Sequence, residues 1–256
     1  MLISDGEMRF FSSKSKLSKD AYSLGFSEHF EWRVAMGKES VAQADWIMNN
    51  GISFLERVYS VYKNDILRLG DAKNLPIHVV IKPSYECQGG ISGVTGNGEL
   101  SYCAGKWDTN EFCHGILAHE LCNLFTGELV SPGWPETWWA NHRSPFPTVI
   151  ANEALRKLIP EYYRRWGDYN DPLVLMFDSI YREYPGVFPR MFQKMRELRV
   201  SLARYAEPDL SHVVYYFMFY AAGKNTVSNY FVSPPMPPVN PTKISEYETK
   251  FSLGVV

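Results

Sequence analysis

The chain has 256 residues, 45% of them hydrophobic and 21% charged, with a formal charge of −2. This is ordinary globular composition, long enough for one large domain or two packed subdomains with a proper core. The near-zero charge gives no footprint for nucleic acid or an anionic membrane, and no apolar run is long enough to be a membrane span.

Residues 1–20 are polar and rich in Ser and Lys, which predicts a loose N-terminal arm. No apolar signal segment stands within them, so the default expectation is the cytoplasm, or export if the chain has been trimmed. SEHFEWRVAM (27–36) predicts a strand. Ser40 is placed to cap a long helix over 41–69, with Gly51 as a bend or interruption. LPIHVVIKP (75–83) predicts a buried strand. GGISGVTGNGELSYCAGKW (89–107) reads as a hairpin turning at Asn97-Gly98. Its glycines are not a phosphate loop, because a strand follows them and the lysine of that motif is absent.

Asp108-Thr109-Asn110-Glu111 opens a helix as a capping box, and the helix should run to about Thr126 with Gly127 just beyond it. ELVSPGWPETWWANHRSPFP (128–147) has no period and suits a functional loop. Within it, Trp134, Trp138, Trp139 and Arg143 are candidates for binding a peptide or sugar, against the plainer reading of an aromatic plug. Helices follow near 148–159, 172–184, 187–206 and 209–222, and VVYYFMFYAA (213–222) is buried rather than membrane-spanning. SPPMPPVNP (233–241) must be extended or turning. The four cysteines form no CxxC pair. Free buried thiols are the plain expectation, with a disulfide involving Cys87 and Cys103 as the alternative.

The chemistry concentrates in HGILAHELCN (114–123). On a helical wheel, His119 and Asn123 fall within about 20° of Phe112, and Glu120 lies to one side of them. Leu117, Leu121 and Leu124 occupy the far side. A polar trio at i, i+1 and i+4 on an otherwise apolar helix has a chemical use. Residues i and i+4 can share one metal ion, and the carboxylate at i+1 can act as general base on a metal-bound water. His114 and Cys122 point away from that patch and read as structural. Without a metal, His119 and Asn123 can simply bond one another or nearby backbone.

The order strand, long helix, strand, hairpin, then the HELCN helix resembles the upper subdomain of zincin metallopeptidases. The downstream half resembles the gluzincin branch. The resemblance implies an α+β fold. A zincin-like mixed sheet with its active-site helix would occupy 21–130, a mostly helical subdomain 131–256, and a cleft would lie between them. It also implies a third metal ligand on a later helix. TVIANEALRKL (148–158) supplies Glu153, 30 positions after Asn123 and preceded by Asn152. The implied set is one divalent metal, zinc, on His119, Asn123 and Glu153, with Glu120 as general base. His142 is a substitute ligand. The oxyanion would be stabilised by a Tyr or His, foremost His212 or Tyr215, with Tyr162, Tyr163 and Tyr216 as alternatives. The partner would be a peptide or protein substrate.

Two residues depart from the pattern. Asn123 stands where the second His ligand belongs, and an amide oxygen is a poor zinc ligand beside imidazole. Lys157 stands where thermolysin-like relatives carry an Asp that orients a ligand His. The expectation is therefore a zinc hydrolase using Glu120. The alternative is a catalytically silent zincin-like binding protein.

Overall fold

The computed structural model describes residues 16–18, 21–35, 46–72, 75–83, 94–95, 99–104, 110–130, 145–165, 171–205, 209–223, 228–231 and 238–255. The fold is α+β, as the sequence predicts. Among the described residues the sheet has six strands: β1 (Lys16–Ser18), β2 (Ala21–Phe26), β3 (Phe30–Ala35), β4 (Ile77–Pro83), β5 (Val94–Thr95) and β6 (Glu99–Ala104). Their order is β1-β2-β3-β4-β6-β5. Strands β3, β4 and β6 run parallel, while β1, β2 and the terminal strand β5 are antiparallel to their neighbours.

Register explains the core. Phe30 pairs with Ile77 and Trp32 with Val79. Val79 pairs in turn with Leu100, and Ile81 with Tyr102. Side chains alternate faces along a strand, so these residues share one face, and all seven are fully buried. Each contributes about 1.5–3 kcal/mol relative to exposure. The opposite face carries a charged group. Glu31 accepts from Arg33 Nη2 at 2.8 Å, and its Oε2 lies 3.0 Å from His78 Nδ1.

Two strand expectations are corrected. The stretch read as one strand over 27–36 begins as a turn: Ser27 N donates to Phe30 O at 2.9 Å, and β3 starts only at Phe30. The expected arm contains the short strand β1. The Asn97-Gly98 turn and Cys87 lie outside the described residues.

The chain divides into two compact units. The first comprises Met1–Asp65, Gly70–Phe125 and Ala151–Trp166. Here a helical run begins with a wide π-helical turn at Ile47–Gly51, continues as α1 (Ile52–Val61) and ends in a second π turn at Tyr62–Ile66. The expected long helix thus ends earlier than residue 69, where Arg68 and Gly70 take positive φ values of 53° and 74°. Gly51 packs closely: a Cβ there would meet Ile47 Cδ1 at 3.0 Å, so the Ile47 side chain would have to shift. Helix α2 (Asn110–Val130) follows β6, and α3 (Pro145–Leu158) contributes its second half to this unit.

The second unit comprises Ile66–Leu69, Thr126–Ile150 and Gly167–Val256. Its helices are α4 (Pro172–Glu183), α5 (Val187–Glu197), α6 (Asp209–Ala222) and α7 (Pro241–Phe251). Asp171 caps α4, accepting from Leu173 N at 2.8 Å, with Pro172 in the first turn. The helix expected over 187–206 stops at Glu197, because Arg199 turns left-handed at φ 54°. Helix α7 is a new element, opened by Asn240, whose side chain accepts from Thr242 N at 3.0 Å. Among the described residues no helix is long and apolar enough to cross a membrane.

Tyr62 ties α1's extension to α2, its hydroxyl donating to Ala118 O at 2.8 Å in a fully buried setting. Tyr62→Phe should therefore cost roughly 1 kcal/mol of stability. Urea denaturation would show this as a lower midpoint with unchanged slope, and an unchanged midpoint would mean the bond contributes nothing.

Candidate functional site

Helix α2 is buried on its whole circumference from Cys113 to Cys122. It also runs four residues past the expected Thr126, to Val130, so Gly127 does not end it. Its apolar positions Leu117, Ala118 and Leu121 are completely covered. The structural reading of His114 holds: its ring lies 4.5 Å from Phe54, 5.1 Å from Trp46 and 5.3 Å from Tyr162. Both described thiols, Cys113 and Cys122, are buried and in no disulfide. Tyr102 Oη bonds Cys113 Sγ at 2.9 Å. Burial, and the nearby Glu120, push the Cys122 thiol well up.

His119 and Glu120 are buried at 5% and 2% exposure, and Asn123 is half-buried. Asn123 Nδ2 donates to Glu120 Oε2 at 3.3 Å. That single weak bond does little against desolvation. Burial raises the Glu120 carboxyl to about 8, only partly opposed by Asn123.

Glu153, on α3 in the same unit, is also buried, and Arg156 holds both of its oxygens. Nε donates to Oε2 at 2.8 Å and Nη2 to Oε1 at 2.5 Å. This is the forked geometry that makes guanidinium–carboxylate pairs strong. Asn152, beside it, is fully buried and accepts from Arg164 N at 2.9 Å. Its role is to hold the turn after α3. Lys157 pairs with Asp65 at 2.8 Å.

The remaining expected site residues fall elsewhere. His142, Trp134, Trp138, Trp139 and Arg143 lie outside the described residues. His212 and Tyr215 belong to the second unit and are buried there. His212 Nε2 accepts from Asn240 N at 3.0 Å, and Tyr215 stacks on Phe231 at 4.3 Å. Tyr216 donates to Glu248 at 3.1 Å and accepts from Leu253 N, which ties down the C-terminal segment.

The side chains that the resemblance would give to a divalent metal do not suit one well: an imidazole, an amide whose nitrogen donates to Glu120, and a carboxylate paired with Arg156. Among the described residues, three His, Cys or carboxylate side chains come mutually within 4.8 Å elsewhere, at Glu28, His29 and Glu56. The sequence reading missed that group because 27–36 looked like a single strand. A Ser-Glu-His tripeptide placed just before an apolar strand was its one local signal.

No family model and no curated protein matches the chain. Among solved structures it is similar to a functionally unknown conserved protein, as a mutant, from Bacillus anthracis str. Ames. Identity is 13% and the TM-score 0.50, over 85% of this chain and 49% of that one. This chain therefore spans about half the length of that neighbour, and the likeness is one of fold alone.

The buried Glu120 sets a pH dependence. Its folded-state pKa of about 8 lies above the ordinary 4.5, so its contribution is full below pH 4.5 and is lost as pH rises toward 8. Between pH 5 and pH 8 the wild type should lose on the order of a few kcal/mol more than Glu120→Gln. Chemical denaturation of both proteins at the two pH values measures this, and parallel losses would show that Glu120 ionises freely.

Proposed function

We propose that the chain is a zincin-like protein whose hydrolytic centre is disarmed, and that it holds a peptide or protein segment without cutting it. The observation that carries this reading is the closed ion pair on Glu153. The carboxylate that the family resemblance would give to a metal has both oxygens on Arg156. Two further features agree. Asn123 replaces an imidazole ligand with an amide. Glu120, with a pKa of about 8, is mainly protonated at neutral pH and so is a proton donor there rather than a base.

The fold supports the zincin-like part of the reading. A mixed sheet ends in the antiparallel strand β5, and the HELCN helix follows β6. A terminal strand suits an extended peptide, which can add to a sheet by backbone hydrogen bonds.

One observation favours a second reading, a hydrolase with Glu120 as proton acceptor. A carboxyl tuned close to neutrality, one position after a buried histidine, has the pKa that acid–base catalysis requires.

Hydrolysis of a broad peptide library separates the two. Wild type, Glu120→Gln and His119→Ala should all stay at the uncatalysed rate. Turnover in wild type that falls at least 100-fold in Glu120→Gln would establish the hydrolase and end the silent reading. If the ion pair and Asn123 are what disarm the centre, Asn123→His combined with Arg156→Leu should bind about one more equivalent of zinc than wild type. Neither single variant should do so. Elemental analysis after zinc loading and desalting would show it, and no gain in the double variant would exclude this account of the disarming.

A further inference from the structure

We propose that Glu28, His29 and Glu56 form a divalent transition-metal site, with His29 Nε2 and the Glu28 carboxylate as ligands and Glu56 as the residue that positions the imidazole. The site is independent of the HELCN helix and of the function read from it.

Geometry fixes the imidazole before any ion arrives. Glu56 Oε1 accepts from His29 N at 2.9 Å, and Glu56 Oε2 lies 2.7 Å from His29 Nδ1. The ring stacks on Tyr59 at 3.8 Å with planes 23° apart. Tyr59 is itself pinned, donating to Asp71 at 3.1 Å and accepting from Ala72 N at 3.0 Å. Backbone, carboxylate and aromatic face together leave the ring one orientation.

Glu56 engages the Nδ1 edge of the ring and leaves Nε2, on the opposite edge, for another partner. That nitrogen faces Glu28 Oε1 at 4.0 Å. A cation bound at about 2.0–2.2 Å from each would bridge the two atoms. A carboxylate that holds one ring nitrogen so that the other can ligate is the usual outer-shell partner of a metal-binding histidine. Ligand atoms from all three residues lie within 4.8 Å of one another. The Glu28 side chain is 79% exposed, so its carboxylate can move onto the ion and water can complete the shell. One imidazole nitrogen with carboxylate oxygens suits zinc, or nickel or cobalt, over magnesium or calcium.

The test is calorimetric titration of the full chain with zinc chloride at neutral pH, with magnesium chloride as the comparison. Wild type should bind about one equivalent of zinc, and magnesium should not compete. His29→Ala should abolish this binding. Glu28→Gln, at an exposed position that should not disturb folding, should weaken it at least 10-fold. Glu56→Gln should weaken it roughly 10–100-fold through loss of orientation. His119→Ala should leave it unchanged, which separates this site from the HELCN helix. Absence of zinc binding in wild type would overturn the proposal and leave His29 as an ion-pair partner of two carboxylates. Binding that survives both His29→Ala and Glu28→Gln would overturn it equally.

Discussion

Helix α2 is buried for ten consecutive residues, Cys113 to Cys122, and much of the first unit answers to that constraint. A helix covered on every side has no water to satisfy a polar side chain, so each such group must bond internally or lose its charge. His114 is enclosed by three aromatic rings. The Cys113 thiol meets Tyr102, and Tyr62 reaches across to the carbonyl of Ala118. Glu120 has one long bond from Asn123 and otherwise responds by holding its proton.

Glu153 resolves the same problem differently. It is as buried as His119, yet it sits three residues from an arginine on its own helix. The partly exposed guanidinium of Arg156 supplies the counter-charge and two hydrogen bonds. In a zinc hydrolase the ion itself would supply that charge. The two arrangements make competing demands on the same oxygens. Glu56 is a third case, half-buried, where the imidazole of His29 engages one oxygen and the His29 backbone N–H the other.

The elements legible in the sequence were those whose burial is periodic and local. The apolar run at 77–83, the hairpin before Ala104 and the opening of α2 all appear within a few residues of their expected places. Misplaced boundaries fell where a tertiary bond or a single backbone angle overrides pattern. Ser27–His29 alternate like a strand, but Glu56 draws the His29 backbone N–H into a turn. Arg199 ends α5 by a left-handed φ that Arg rarely adopts. The loop Ile66–Leu69 belongs with the second unit because Gln193 and Arg196 on α5 donate to its carbonyls.

The sequence by itself determined the class of fold and the helix that carries His119, Glu120 and Asn123. Both follow from residue spacing, because 3.6-residue and two-residue periods are properties of the local backbone. It also placed Glu153 and Lys157 on a later helix. What it could not hold was which partner a charge would take from a distant segment. Arg156 and Glu153 stand three apart on one helix, so their pairing is local, whereas His29 and Glu56 are a pair only once packing brings their two segments within bonding distance. That choice depends on distances between segments 27 residues apart in the case of His29 and Glu56, and on burial, which sets how much each pairing matters. The tertiary structure alone decided that pairing, and with it that Glu56 faces an imidazole.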